Sequence, residues 1–320
     1  MPTAQRAPAA FLVRRGGERL LFDCAEGTQR QLQRSVIGLP DLEEIFLTHF
    51  HADHFLGLPG MLKTFALRGR DSLGVTVYGP PGLRDLFGRL RPFLGRLPYP
   101  LTTVELAPGE TLERGEYTIE TFAVDHGVSA VGYVLAEHER PGRFDVAAAD
   151  ALGVPAGRER GILQNGESLT LEDGRVITPD AVLGPPRVGR RIVLSGDTAP
   201  APSVVQAAHK ADVLVHEATF GAEEGERARE TLHATAAEAA EVARLADVRL
   251  LALTHVSTRY FGSELAAEAR AVFERTVVPR DFDVIAVPFP ERGEPHLVKA
   301  GARPVSSGGD GQDGASRGGG

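Results

Sequence analysis

One cysteine, two methionines and no tryptophan occur in the 320 residues of this chain. With Cys24 alone, no intrachain disulfide can form, and a chain so poor in thiols fits a reducing cytoplasm. The same scarcity keeps thiolates out of any metal site, so a zinc centre would have to be built from histidine and carboxylate. Long apolar runs are missing too. None approaches the roughly 20 residues that span a bilayer, and the opening Met1-Pro2-Thr3-Ala4-Gln5-Arg6 lacks the apolar core of a signal peptide, so no membrane association is expected. Positive charge is in deficit: 35 Lys and Arg against 43 Asp and Glu leave a formal charge of −8, which argues against broad, non-specific nucleic-acid binding.

What is present is an ordinary globular composition, 42% hydrophobic and 24% charged, sufficient for one large α/β domain or two smaller ones. The basic residues are unevenly spread. Lys63, Arg68, Arg70, Arg84, Arg89, Arg91 and Arg96 stand against only Asp71 and Asp85 between them. That cluster reads equally as a solvated helical surface or as a local face for a polyanion.

The densest chemistry is His49-Phe50-His51-Ala52-Asp53-His54, an H-x-H-x-D-H box that follows the apolar run Ile45-Phe46-Leu47. Four metal-capable side chains in six residues exceed what one tetrahedral zinc usually takes from so short a segment. In an extended chain His49, His51 and Asp53 would share a face, but pleat alone does not assign ligands if the box lies in a loop.

Along the chain, β-like runs alternate with helical ones. Strands are expected at 11–13 and 20–22 around a Gly16-Gly17 turn, then at 45–48, 75–78, 117–124, 131–135, 191–194, 213–215, 250–253 and, as the last, 284–287. Helices are expected at 29–36, 58–67, 236–246 (opened by the capping box Thr235-Ala236-Ala237-Glu238) and 264–275 with Ser263 as cap. Residues 139–190, rich in Gly, Pro and charge, read as an excursion from a main body spanning 1–300. The Gly/Ser-rich stretch 301–320 reads as a disordered tail. Strand after strand ends on an acidic or metal-capable residue, where function collects in open α/β sheets.

His126, Asp197 and His255 occupy such ends. Alone each would be a structural histidine or a turn aspartate; beside the box they become candidate ligands. The count suggests two metals: His49, His51 and His126 on one, Asp53, His54 and His255 on the other, with Asp197 bridging. Nitrogen and oxygen donors in these numbers suit Zn2+, with Mn2+ or Fe2+ also compatible. Two such ions can activate a water and stabilise an in-line displacement at phosphorus.

This ordered set resembles that of the metallo-β-lactamase fold family. Further motifs, Phe22-Asp23-Cys24-Ala25-Glu26-Gly27-Thr28-Gln29, Ser195-Gly196-Asp197-Thr198, His216-Glu217-Ala218-Thr219-Phe220, His233-Ala234-Thr235 and Leu253-Thr254-His255-Val256-Ser257-Thr258-Arg259-Tyr260, resemble its ribonuclease Z branch over nearly the whole chain. The resemblance implies an αββα sandwich with an inserted flexible arm at about 140–190. It implies a zinc-dependent endoribonuclease that removes the 3′ trailer of precursor tRNA, leaving a tRNA 3′-hydroxyl and a 5′-phosphate trailer, and working as a cytoplasmic homodimer. Asp53 would ligate metal and accept a proton, and His233, outside the ligand set, would protonate or stabilise the leaving oxygen. Glu217 would orient such a histidine or serve a structural hydrogen bond; Arg259 would contact phosphate or form an internal salt bridge. The alternative enzyme is a phosphodiesterase or nuclease of the same fold acting on another substrate. A non-catalytic RNA-binding protein is disfavoured, because a buried His/Asp cluster without metal is costly to keep.

Three departures from the branch pattern carry expectations. The usual opening strand and Asn are absent, Ala7 standing at the Asn position, so a natural start upstream is expected. Ala25 replaces a glycine, at a cost on the order of 1 kcal/mol if that position needs positive φ. The arm lacks its usual Gly-Pro, and between Arg140 and Arg175 five basic residues face six acidic ones, leaving Arg158 and Arg160 as its local contacts for tRNA.

Overall fold

The computed structural model describes residues 6–39, 42–69 and 73–301; residues 302–320 of the expected tail and residues 1–5 lie outside the described residues. The first half forms a five-stranded sheet from β1 (Phe11–Arg15), β2 (Glu18–Phe22), β3 (Glu44–Phe46), β4 (Val75–Gly79) and β5 (Leu101–Glu105), in that spatial order. β1 and β2 make a hairpin and the remaining pairs are parallel. Helices α1 (Thr28–Arg34), α2 (Ala52–Phe55), α3 (Gly57–Leu67) and α4 (Leu83–Leu94) make the connections. The expected strand at 45–48 is shorter than its apolar run, because Leu47 and Thr48 leave the ladder to deliver the histidine box.

The second sheet is built from β6 (Thr111–Glu113), β7 (Tyr117–Ala123) and β8 (Val131–Glu137), then, after the excursion, β11 (Arg191–Leu194), β12 (Val213–Glu217), β13 (Leu251–Thr254) and β14 (Thr276–Val277). Its order is β14-β13-β12-β11-β8-β7-β6, parallel from β14 to β11 and antiparallel beyond. Helices α7 (Pro202–Ala207), α8 (Gly225–Thr231), α9 (Ala236–Leu245) and α10 (Gly262–Val272) accompany it. The strand at 284–287 is not the last. β15 (Val284–Ala286) pairs with β16 (His296–Val298) in a separate hairpin, a strand too short and too exposed to show in the apolar pattern.

Three apolar layers account for the sandwich. Phe22, Phe46 and Tyr78 from the first sheet meet Tyr117, Tyr133 and Leu194 from the second, with Phe46 stacked 4.6 Å from Tyr78 and 4.9 Å from Phe22. Ala-rich α9 lets its helix layer approach the second sheet closely: Ala236, Ala239, Ala240 and Ala243 are fully buried. Thr235 caps α9 and Glu238 returns to its backbone, as the sequence predicts. Ser263 does not cap α10; the helix starts at Gly262, and Glu264 accepts from the backbone N–H of Phe261. The outcome is the αββα sandwich expected from the sequence.

Residues 139–190 fold into a module with their own core. α5 (Val146–Ala151), α6 (Arg158–Gln164) and the hairpin of β9 (Leu169–Thr170) and β10 (Val176–Ile177) enclose Ala149, Val154, Leu163, Leu169, Ile177 and Val182. The stalk is a continuation of the β8–β11 pair: Arg140 and Arg187 exchange backbone hydrogen bonds of 2.8 and 2.9 Å beyond the sheet.

Around the first metal-capable box the backbone is tightly held. The left-handed positions of the 22–29 segment are Asp23 (φ 57°) and Gly27 (φ 85°); Ala25 is not one, so the expected cost of alanine there does not arise. Cys24 donates its N–H to His54 O at 2.7 Å and Gly57 donates to Cys24 O at 2.9 Å, stitching α2 and the start of α3 to the end of β2. A Cβ on Gly57 would lie 2.0 Å from Ala25 O, and backbone cannot yield as a flexible side chain can. Gly57→Ala should therefore lower stability by about 3 kcal/mol. Urea unfolding measures this, and an unchanged midpoint would show that the junction relaxes.

Candidate metal centre

The ligand candidates converge at the carboxyl ends of strands. The box follows β3, His126 follows β7, Asp197 follows β11, Glu217 ends β12 and His255 follows β13. Parallel neighbours β11, β12 and β13 end at the same level, so three distant segments meet without any long loop. The box itself changes conformation midway: His49 lies outside any strand or helix and His51 is extended, whereas Asp53 and His54 lie on α2, whose N-cap is His51. Alternation along a strand could not have assigned its ligands for this reason.

The donor atoms of His49, His51 and His126 lie within 4.8 Å of one another, as do those of Asp53, His54 and His255, and those of His49, His54 and Asp197. Asp197 sits between the two outer groups. Its Oδ2 is 3.8 Å from His49 Nε2, 3.2 Å from His54 Nε2 and 3.4 Å from His255 Nε2. His255 Nε2 is 3.3 Å from Asp53 Oδ2. All seven residues proposed as ligands from sequence are thus brought together.

Proton positions follow from the partners on the far side of each ring. Thr48 Oγ1 donates to the Asp23 carboxylate at 2.9–3.1 Å, so it must accept from His49 Nδ1–H at 3.0 Å, leaving Nε2 bare. His54 Nδ1–H donates to Asp23 Oδ2 at 2.8 Å. Thr219 Oγ1 donates to Glu217 Oε2 at 2.6 Å, so it accepts from His255 Nδ1–H at 2.7 Å. His126 Nδ1–H donates to Leu232 O at 3.2 Å, and its Nε2 faces His51 Nδ1 at 3.2 Å. All four imidazoles therefore commit Nδ1 to an outer partner and aim Nε2 at one small volume. Gly196 permits this closeness, since a Cβ there would come 2.9 Å from Thr48 Cβ.

The electrostatics agree with a cation site. Burial and the neighbouring imidazoles push His49 down to about 2, so it is neutral. Burial opposes charge on His54, but Asp197 and Asp23 outweigh it and raise its pKa well above the usual value. Asp197 is held well below the carboxylate range by His255, His54 and His49, despite its burial. Asp53 is likewise held down, chiefly by its hydrogen bond with His255. His49 Nε2 and His54 Nε2 are buried without a hydrogen-bond partner. Two orphaned nitrogens beside the Asp197 carboxylate fit a divalent cation.

A further histidine completes the cluster. His233 Nδ1–H donates to Glu217 Oε1 at 2.6 Å, and its ring stacks 5.4 Å from that of His255. Its donor atoms also come within 4.8 Å of those of Asp197 and His255, which makes it the one residue whose place outside the ligand set rests on the Glu217 contact. Glu217, fully buried, accepts besides from Thr198 N–H at 2.8 Å.

Arg259 takes the internal salt bridge of its two readings, 2.8 Å from Glu224 and over the ring of Phe220. Arg158 is exposed at the start of α6 with no protein partner, while Arg160 is occupied within the arm by Asp150 and Val154 O, so it is not the free contact expected. Asp23, Thr48 and Thr219 received no role from the sequence, although two of the quoted motifs contain Asp23 and Thr219; only their contacts reveal it.

A model of the metallo-β-lactamase superfamily matches residues 4–141. Ribonuclease Z of Haloferax volcanii is 46% identical over 90% of this chain and 92% of its own length. The chain belongs to the ribonuclease Z family. Ribonuclease Z of Myxococcus xanthus is 45% identical over 91% of the chain and 95% of its own. The crystal structure of human tRNase Z, short form, superposes with a TM-score of 0.64 at 26% identity, covering 90% of this chain and 95% of that one. Family members thus share both its sequence and its sandwich.

Asp23→Asn keeps the side-chain shape but loses the carboxylate that orders His54 and Thr48. Metal affinity should fall roughly 10–100-fold, read by competition with a chromogenic chelator. Unaltered affinity would leave Asp23 with a purely structural role.

Proposed function

We propose that this chain is an endoribonuclease that removes the 3′ trailer from precursor tRNA, leaving a 3′-hydroxyl on the tRNA and a 5′-phosphate on the trailer. The observation that carries the reading is the Glu217–His233 pair beside the metal centre. It supplies an oriented imidazole beyond what metal binding requires, and phosphodiester cleavage needs one for the departing oxygen. The ribonuclease Z relatives and the separately folded arm direct the choice of RNA as substrate.

In this reading His49, His51 and His126 would hold one zinc ion and Asp53, His54 and His255 the other, with Asp197 available to both; manganese or iron would fit the same donors. When bound, the two ions supply Lewis acidity and lower the pKa of water. Asp53, its carboxyl kept ionised by His255, accepts the proton released as water attacks phosphorus. His233 holds a proton at Nε2 for the leaving 3′-oxygen while Glu217 fixes the ring through Nδ1. Glu217 also ties this pair to Thr219 and so to His255, so the acid side and the metal side share one rigid carboxylate.

The arm at about 140–190 would hold the body of the tRNA, with Arg158 among its exposed cations. The chain would act in the cytoplasm as a homodimer. No described helix is long and apolar enough to cross a membrane. Val36, Leu67 and Phe93 are exposed apolar side chains at the ends of α1 and α3 and on α4, one helix layer of the sandwich, and suit burial against a second copy.

Incubation with a 3′-extended tRNA transcript should give one discrete cut, abolished by a chelator. His233→Ala should slow it about 10²–10⁴-fold with bound metal retained. Cleavage of a generic phosphodiester alone would transfer the reading to another substrate, and metal loss in His233→Ala would make His233 a ligand. For the dimer, Phe93→Asp should halve the mass seen by light scattering; a monomeric wild type would remove the proposal.

A further inference from the structure

The arm has its own core and joins the second sheet through a two-stranded stalk, so its direction depends on what grips the stalk. One element that grips the stalk is the corner between β15 and β16. There the guanidinium groups of Arg140 and Arg190, one from each stalk strand, lie 3.5 and 4.4 Å from the centroid of the Phe289 ring. The buried Nε of Arg140 has no hydrogen-bond partner, which leaves the ring as its contact on that side.

A third guanidinium, that of Arg292, lies farther off at 5.8 Å, and the two nearest cations are each neutralised. Arg140 pairs with Glu291 at 3.1 Å, and Arg187 of the opposite strand reaches the same carboxylate at 3.3 Å. Arg190 pairs with Glu137 and also donates to Val287 O at 3.2 Å. Glu137 is bound in turn by Arg15 at 2.9 Å, so the stalk is tied to the first sheet as well. Phe289 and Glu291 thus bind both strands of the stalk from one corner, and neither is one of the metal-capable residues.

We infer that the Phe289–Glu291 corner is a clamp that sets the arm's direction, and that Phe289 is a positioning residue for a large RNA substrate. This rests on the reading of the arm as a tRNA holder. A clamp of this kind acts on substrate capture: releasing it lets the arm sample directions in which it cannot engage RNA, which lowers the competent fraction without altering the metal site. Small substrates, which do not reach the arm, would be indifferent to it.

The test uses full-length Phe289→Leu, which keeps apolar volume but loses the ring face, and Phe289→Tyr, which restores it. Phe289→Leu should raise KM for 3′-extended tRNA about tenfold, the size expected from losing one or two cation–π contacts, with kcat and hydrolysis of a small phosphodiester unchanged. Phe289→Tyr should recover the KM, and amide exchange at 138–142 and 186–190 should quicken in Phe289→Leu alone. Unchanged KM and exchange, or equal losses on both substrates, would overturn the clamp. Should the wild type hydrolyse the small substrate but never cut tRNA, the reading of function would fail. The exchange result would then decide the clamp by itself.

Discussion

Two buried carboxylates, Asp23 and Glu217, organise the functional end of this sandwich. Each accepts several hydrogen bonds, each orients one histidine directly, and each orients a second through a threonine hydroxyl. A hydroxyl has one proton to give. Once Thr48 and Thr219 donate to their carboxylates, His49 and His255 must direct Nδ1–H outward and so aim Nε2 inward. A buried carboxylate is tolerable only when its oxygens are satisfied, so the same bonds that set the tautomers make these charges affordable inside the fold.

That arrangement constrains the backbone. Asp23 reaches both Thr48 and His54 from a left-handed conformation, which non-glycine residues rarely adopt, held in place by ladder contacts on either side. Glu217 is the last residue of a central parallel strand, where neighbours on both sides leave no room for drift. The apolar layer between the sheets, with its ladder of Phe22, Phe46 and Tyr78, fixes the distance between the two halves. Metal-capable residues from halves far apart in sequence therefore meet because the sheets pack.

The arm follows a different logic. Its core is its own, yet its stalk extends the β8–β11 pair, and β11 runs directly on to Asp197. One short strand thus carries the arm at one end and a metal-capable aspartate at the other. At about 3.3 Å per residue, the stalk root at Arg190 is at most some 25 Å from the metal-capable cluster. Arm and site can therefore be related by rigid structure rather than by a flexible tether.

Much of the site was legible in the residues themselves. Strand-ending His126, Asp197 and His255, together with the H-x-H-x-D-H box, report metal binding because ligand chemistry restricts residue type so strongly. The same holds for the capping box of α9, whose signal is local. Contacts between distant segments were not legible. Nothing near Asp23 in sequence says that it serves His54, nothing near Arg259 says that Glu224 pairs with it, and the weak pattern of residues 296–298 conceals a strand. Sequence by itself determined which groups could bind metal and move protons, because those are properties of side-chain chemistry. Only the tertiary structure decided which nitrogen each histidine presents and what grips the arm, because those depend on partners brought close by packing alone.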